Sequence, residues 1–367
     1  MDSGPDLSKK RKLSQDAAAV EGQGTSSGDV SYQAQPSLKF EHGDIWYDDG
    51  NVILVAGAVG FKVYRGVLYR LSEVFREIFD QRESTREQHT FDGCPAIVLL
   101  DTAQDLLCLL STLYDDASRY FSEQHRLRLN EVSSMIRLGT KYKLQHVRNE
   151  AIRRLNQCFP VTLEDFKVHY TMNALYHSPD PDFTDIFPHS SVSISAEGCI
   201  HVIHLAWSLD LHTILPGAFY VCAQLSEAKK FHGYYDREQS KRWKLSAKDQ
   251  ERCSNGTKQL RQALTRSFEA LLDGPSEDCT SRKTCTTHMK QNLRSFWKTR
   301  VHHTNALLDA DRVDSEVSKP LCESCTAHLK SSYEVQRCIT WKELRGYFDL
   351  PEPDVPVEAH QSQNSGS

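Results

Sequence analysis

Four cysteines late in the sequence have spacing that suits a metal site. Five residues separate Cys279 from Cys285, two separate Cys322 from Cys325, and 36 residues lie between the pairs. Four thiolates suit a tetrahedral zinc ion, and the intervening stretch, which includes MKQNLRSFWKTRVHHTNALL, is long enough to hold a helix. One zinc would clamp both ends of that excursion together. With every position taken by protein the ion would be structural, because a catalytic zinc keeps one position open. His288 and His328 each follow a cysteine by three residues, in CTTHMK and CTAHLK, and stand in reserve for a mixed ligand set. The competing reading is four reduced thiols in a helical region, since a reducing compartment disfavours a disulfide.

Other chemistry is sparse. His201 and His204 are three apart and could share a metal, but no third ligand with defined spacing accompanies them, so partly buried, hydrogen-bonded histidines are the better reading. There is no glycine-rich phosphate loop, no H-E-x-x-H and no cysteine–histidine arrangement typical of an activated nucleophile. The chain is expected not to be an enzyme.

At 367 residues, 25% charged and 39% hydrophobic, the sequence suits about two globular domains. A net charge of −5 gives no global basic field for nucleic acid or an anionic membrane. No apolar run reaches the roughly 18 residues of a membrane span, and the first thirty residues lack the apolar core of a secretory signal. Eleven cysteines without framework spacing read as reduced thiols of an intracellular protein, nuclear or cytoplasmic.

Residues 1–38 are rich in small and polar residues and are expected to form a disordered arm. Within it Lys9, Lys10, Arg11 and Lys12 make a basic run that suits a nuclear import signal; a solvated charge run is the plain alternative. Further on, NVILVAG and GFKVY read as a β-hairpin, and Val67, Leu68, Leu71, Val74, Phe75, Ile78 and Phe79 give one amphipathic helix over 65–81. PAIVLLD reads as a third strand, with Asp101 or Thr102 capping the next helix, and a helical pair then runs to Pro160. Residues 39–160 therefore form an α+β unit of short strands packed with a helical bundle. Residues 161–352 are expected to be mostly helical, with apolar segments Ile200–Leu211 and Ile214–Leu225 interrupted by Pro216–Gly217, an amphipathic helix running through Leu271 to Gly274, and a disordered tail over 353–367.

Residues 41–160 resemble a BTB/POZ domain. The resemblance rests on Phe61, Lys62, Val63, Arg65, Leu68, Ser72, Phe75 and Phe79, then on Lys141, Tyr142, Val147, Arg148 and Ala151. Beyond that unit, the order C-x5-C, helical stretch, C-x2-C and closing TWKELRGYFDLPEP is similar to BTB-domain proteins of mushroom-forming fungi, through Trp341, Leu344, Phe348, Leu350 and Pro351. The resemblance implies a protein-interaction module, scaffold or adaptor, with partners engaged through the BTB unit. Substrate delivery to a cullin-type ubiquitin ligase and nuclear regulation at chromatin are the alternatives. In dimeric members an acidic residue and an arginine form a charged pocket; the matching positions here are Asn51 and Arg65, and the family's histidine is replaced by Tyr64. The resemblance implies a homodimer, while the loss at Asn51 of the counter-charge to Arg65, with Tyr64 in place of histidine, weighs against dimerisation through the usual face. Direct nucleic-acid binding is disfavoured, although Arg282, Lys283, Lys290, Arg294, Lys298 and Arg300 form a local basic run, because no recognition-helix spacing accompanies it.

Overall fold

Branched residues alternate with a tight glycine turn to start the fold. Val52–Ala56 (β2) and Val59–Val63 (β3) pair antiparallel from Val52↔Val63 to Ala56↔Val59, and Gly57 takes φ +58 in the connection. The computed structural model describes residues 39–84, 89–115, 120–122, 124–170, 185–237, 240–299, 303–308 and 319–352. The arm with Lys9, Lys10, Arg11 and Lys12, the tail from 353, and Arg300 lie outside them.

Glu41–Trp46 (β1), Thr90–Phe91 (β4) and Cys94–Leu99 (β5) complete a five-stranded sheet in the order β1-β3-β2-β5-β4. β2 is central, parallel to β5, and all five of its residues are buried, as expected of a strand covered on both faces. β1 runs parallel to β3 and was not evident in the sequence, because EHGDIW offers only Ile45 to the core.

The single helix expected over 65–81 is two helices, Arg65–Leu71 (α1) and Glu73–Ser84 (α2). Ser72 between them is extended, at φ −131 and ψ 121. Its hydroxyl donates to the carbonyl of Tyr142 at 2.5 Å and accepts the N–H of Phe75 at 3.1 Å, so this buried serine caps α2 while tying it to a distant helix. Thr102 caps Ala103–Leu110 (α3) as expected, accepting from the N–H of Asp105 at 3.1 Å. Leu129–Lys141 (α4) and Gln145–Cys158 (α5) are the helical pair. Leu68, Phe75, Phe79 and Tyr142 are core residues, with Phe75 and Tyr142 stacked at 4.3 Å.

Residue 160 marks a change of composition and not a gap in packing. Leu127–Arg128 (β6) pairs with Val192–Ser193 (β7), and residues from Lys39 onward cluster as one unit. Fully buried Arg154 on α5 binds Glu150 at 2.7 Å and donates to the carbonyls of Tyr120, Ser122 and His125 at 2.9, 2.7 and 2.9 Å. Helices dominate the remainder: Leu163–His169 (α6), Cys199–Ser208 (α7), Leu215–Ala223 (α8) and Glu227–His232 (α9), then, after a hairpin of Tyr234–Asp236 (β8) and Lys241–Trp243 (β9), Ala247–Arg266 (α10), Ala270–Asp273 (α11), Arg282–Thr299 (α12) and Glu323–Tyr347 (α13). The architecture is α+β. No helix among the described residues is long and apolar enough to cross a membrane.

Two readings of punctuation change. Pro216 lies in the first turn of α8, where its missing N–H costs nothing, so it starts that helix and the break falls earlier. The amphipathic run to Leu271 is also divided, since α10 stops at Arg266 and α11 is a separate turn before Gly274 at φ +89.

The closing segment seats against α10. Phe348 is fully buried, and a Cβ at Gly256 would fall 1.9 Å from its ring. Gly256→Ala must therefore displace the ring, and a loss of about 1–3 kcal/mol is expected in urea denaturation despite the better helix propensity of alanine.

Candidate metal centre and surface pocket

The two cysteine pairs meet because two helices begin at the same place. Cys285 lies in the first turn of α12, Cys322 is the N-cap of α13, and Cys325 is in its first turn; Cys279 comes from the loop before α12. The four sulfurs all lie within 4.8 Å of one another. Cys322 Sγ is 3.6 Å from Cys279 Sγ, and the N–H of Cys322 donates to Cys285 Sγ at 3.4 Å. A tetrahedron of sulfurs around one zinc has edges of about 3.8 Å, so the cluster has the right size for a single ion. All four are free thiols, with Cys285 and Cys325 buried and the other two partly so.

The helix starts set the electrostatics. The N–H of Cys325, and after it that of Thr280, pull the Cys322 thiol down to about 6, against the opposing effect of burial. Burial pushes Cys279 and Cys285 up. Backbone donors at a helix N-terminus favour thiolate, and so would favour a cation that keeps the sulfurs deprotonated.

The two reserve histidines are outside the cluster. His288 Nδ1 donates to the carbonyl of Pro320 at 2.6 Å, and His328 is exposed on α13. His288 thus steadies the chain entering Cys322 in place of ligating. Asn292, which the sequence reading passed over, does the same more firmly: its amide donates to the carbonyl of Lys319 at 2.9 Å and accepts that residue's N–H at 2.8 Å. Its only sequence signal is a polar residue on the apolar face of α12, seven after Cys285.

The second feature is a cavity of about 630 Å³, including its open mouth, beside the start of β2 and β5. Asn51, Arg65, Phe79, Arg82, His89 and Ile97 contribute to its lining. Asn51 and Arg65 are therefore neighbours, the two positions that the resemblance to BTB/POZ domains implied, but their bond is made to the backbone of Arg65 and not to its guanidinium. Asn51 Oδ1 accepts the backbone N–H of Arg65 at 2.7 Å and so caps the start of α1. The guanidinium lies over the rings of Phe79 and Tyr69, at 5.3 and 5.8 Å. Tyr64 turns elsewhere, donating to Asp49 at 2.6 Å, a bond that raises its phenol's pKa. An apolar floor flanked by two arginines and a histidine suits an acidic side chain next to an apolar one.

His201 and His204 do not converge. His201 Nε2 lies 3.1 Å from the hydroxyl of Ser133 and its ring stacks on Trp243 at 4.1 Å, whereas His204 Nε2 bonds the carbonyl of Lys244. Ser133 and His201 are 0% and 1% exposed, which closes this serine–histidine pair to any substrate.

No protein-family model matches the sequence, and no curated protein is significantly similar to it.

Burial, followed by the charges of Arg137 and Lys241, pushes His201 down to about 3 from an ordinary 6.5. The unfolded chain therefore binds this proton first, and the neutral buried ring stabilises the fold fully above about pH 6.5 and progressively less as pH falls toward 3. Within that window the loss should approach about 1.4 kcal/mol per pH unit. Urea midpoints at pH 4, 5, 6 and 7 should show a shallower acid dependence in His201→Gln than in the native chain; identical slopes would remove His201 as a cause.

Proposed function

We propose that this chain is a non-enzymatic protein-interaction module of the BTB/POZ type, in which the sheet-side pocket selects a partner and one structural zinc holds the helical half in place. The observation that carries the reading is the pocket: a concave, mostly apolar site edged by Arg65, Arg82 and His89 at the end of a rigid sheet. The hairpin, the split α1–α2 pair and the α4–α5 pair, with Leu68, Phe75, Phe79 and Tyr142 in one core, support the BTB-type reading. The zinc reading is supported by four thiols of the right type and separation, presented by two helix starts. The partner would place an acidic residue among the cationic side chains and an apolar residue on the floor. A second copy of the chain is one candidate, a different protein another.

Panning a random peptide library on the full chain should enrich sequences with an acidic residue next to apolar ones. Their affinity should fall at least tenfold in Arg82→Glu with the far-ultraviolet spectrum unchanged. Absence of enriched sequences, or indifference to the charge reversal, would count against the pocket.

Metal content gives a separate check. Purified protein should carry about one zinc per chain, lost in the Cys322→Ser, Cys325→Ser double variant. Chelation should lower the thermal midpoint of the native chain and leave that of the variant unchanged, because ligand-bound native state is stabilised by mass action. A metal-free native chain that gains no stability from added zinc would refute the site.

A further inference from the structure

The most unusual surface is on α12, the helix that starts in the thiol cluster. Its buried face consists of Cys285, Met289, Asn292 and Phe296. Opposite them, Lys283, Lys290 and Trp297 recur every seven residues, and Arg294 and Lys298 flank that line, so all five share one face. The four cations are exposed, and Trp297 is 49% exposed. The 18 residues of the helix include no aspartate or glutamate, and none of Lys283, Lys290, Arg294 and Lys298 has a side-chain partner among the described residues. In a chain of net charge −5, this concentration of positive charge is local. It lies on a helix fixed at its N-terminus by Cys285 and at mid-length by Asn292.

We propose that this face of α12 binds single-stranded nucleic acid, with Lys290, Arg294 and Lys298 on successive phosphates and Trp297 stacked on a base. The inference goes beyond the interaction-module reading and does not depend on it. Residues four apart on a helix are separated by about 6 Å along its axis, close to the distance between neighbouring phosphates in an extended strand. An exposed aromatic ring among such cations is the arrangement that tracks a strand without reading its sequence, since every base has a face to stack. A membrane surface fits less well. The apolar face of α12 is already buried in the protein, which leaves one large apolar side chain, Trp297, to insert. A duplex reader would need side chains aimed at base edges, and a lysine ladder gives only phosphate contacts.

The test uses the full chain and fluorescently labelled 12-nucleotide single strands of mixed sequence, followed by anisotropy. Saturable binding is expected at 50 mM salt. With the three named phosphates neutralised, affinity should fall about 20-fold on going to 200 mM. Lys290→Glu combined with Arg294→Glu and Lys298→Glu should weaken binding by more than tenfold, and Lys290→Arg with Lys298→Arg should retain it. Trp297→Ala should lose about tenfold and leave the salt dependence unchanged. All these positions are exposed, so zinc content and pocket-peptide affinity should stay at native values, which separates failure here from failure of the interaction reading. The proposal is overturned if binding survives the triple reversal, because another surface would then be responsible. It is equally overturned if vesicles containing phosphatidylserine, or polyglutamate at equal charge, displace the strand as well as unlabelled oligonucleotide does.

Discussion

A guanidinium buried without water must find an acceptor for each of its donors, and that requirement at Arg154 organises the middle of the molecule. The carbonyls of Tyr120, Ser122 and His125 turn inward to meet it, and Glu150 supplies the counter-charge one turn back on α5. The chain that follows those carbonyls runs straight into β6, whose partner β7 comes from beyond residue 160. Removing either side would leave a buried charge unpaired, which is far costlier than the pair is worth. The α+β unit and the helical half therefore share a core that the composition of each alone would not suggest.

From that core, two sites face outward at places where helices begin. Asn51 caps α1 and shapes one wall of the pocket; Cys322 caps α13 and brings its sulfur to three others. In both cases the orphan N–H groups of a first turn decide the electrostatics, orienting a side-chain carbonyl in one and favouring a thiolate in the other. The thiol cluster also fixes the direction of α12, and so which of its faces meets the core and which meets solvent.

Local chemistry was readable where one residue type has few uses. The hairpin around Gly57, the cap at Thr102, and the core positions Phe75 and Phe79 of α2 follow from periodicity and short polar side chains. The interruption at Ser72 was not readable, because the apolar spacing runs on through it and the bond that extends it comes from Tyr142, seventy residues away. β1 was hidden for a similar reason: its pairing with β3 holds a strand that its own residues do not advertise.

The sequence by itself determined that four cysteines stand in two close pairs around an intervening stretch long enough for a helix, that a neutral Asn51 precedes the VILVA strand, and that 282–299 is rich in cations. Only the tertiary structure decided that the sulfurs meet within 4.8 Å without His288 and His328, that Asn51 serves the backbone of Arg65 and not its guanidinium, and that the cations of α12 share one face with no side-chain partner among the described residues. The physical reason is common to all three. Spacing along a chain sets which residues can lie on one side of a helix, but which sides meet is set by the packing of helices that begin far apart in the sequence.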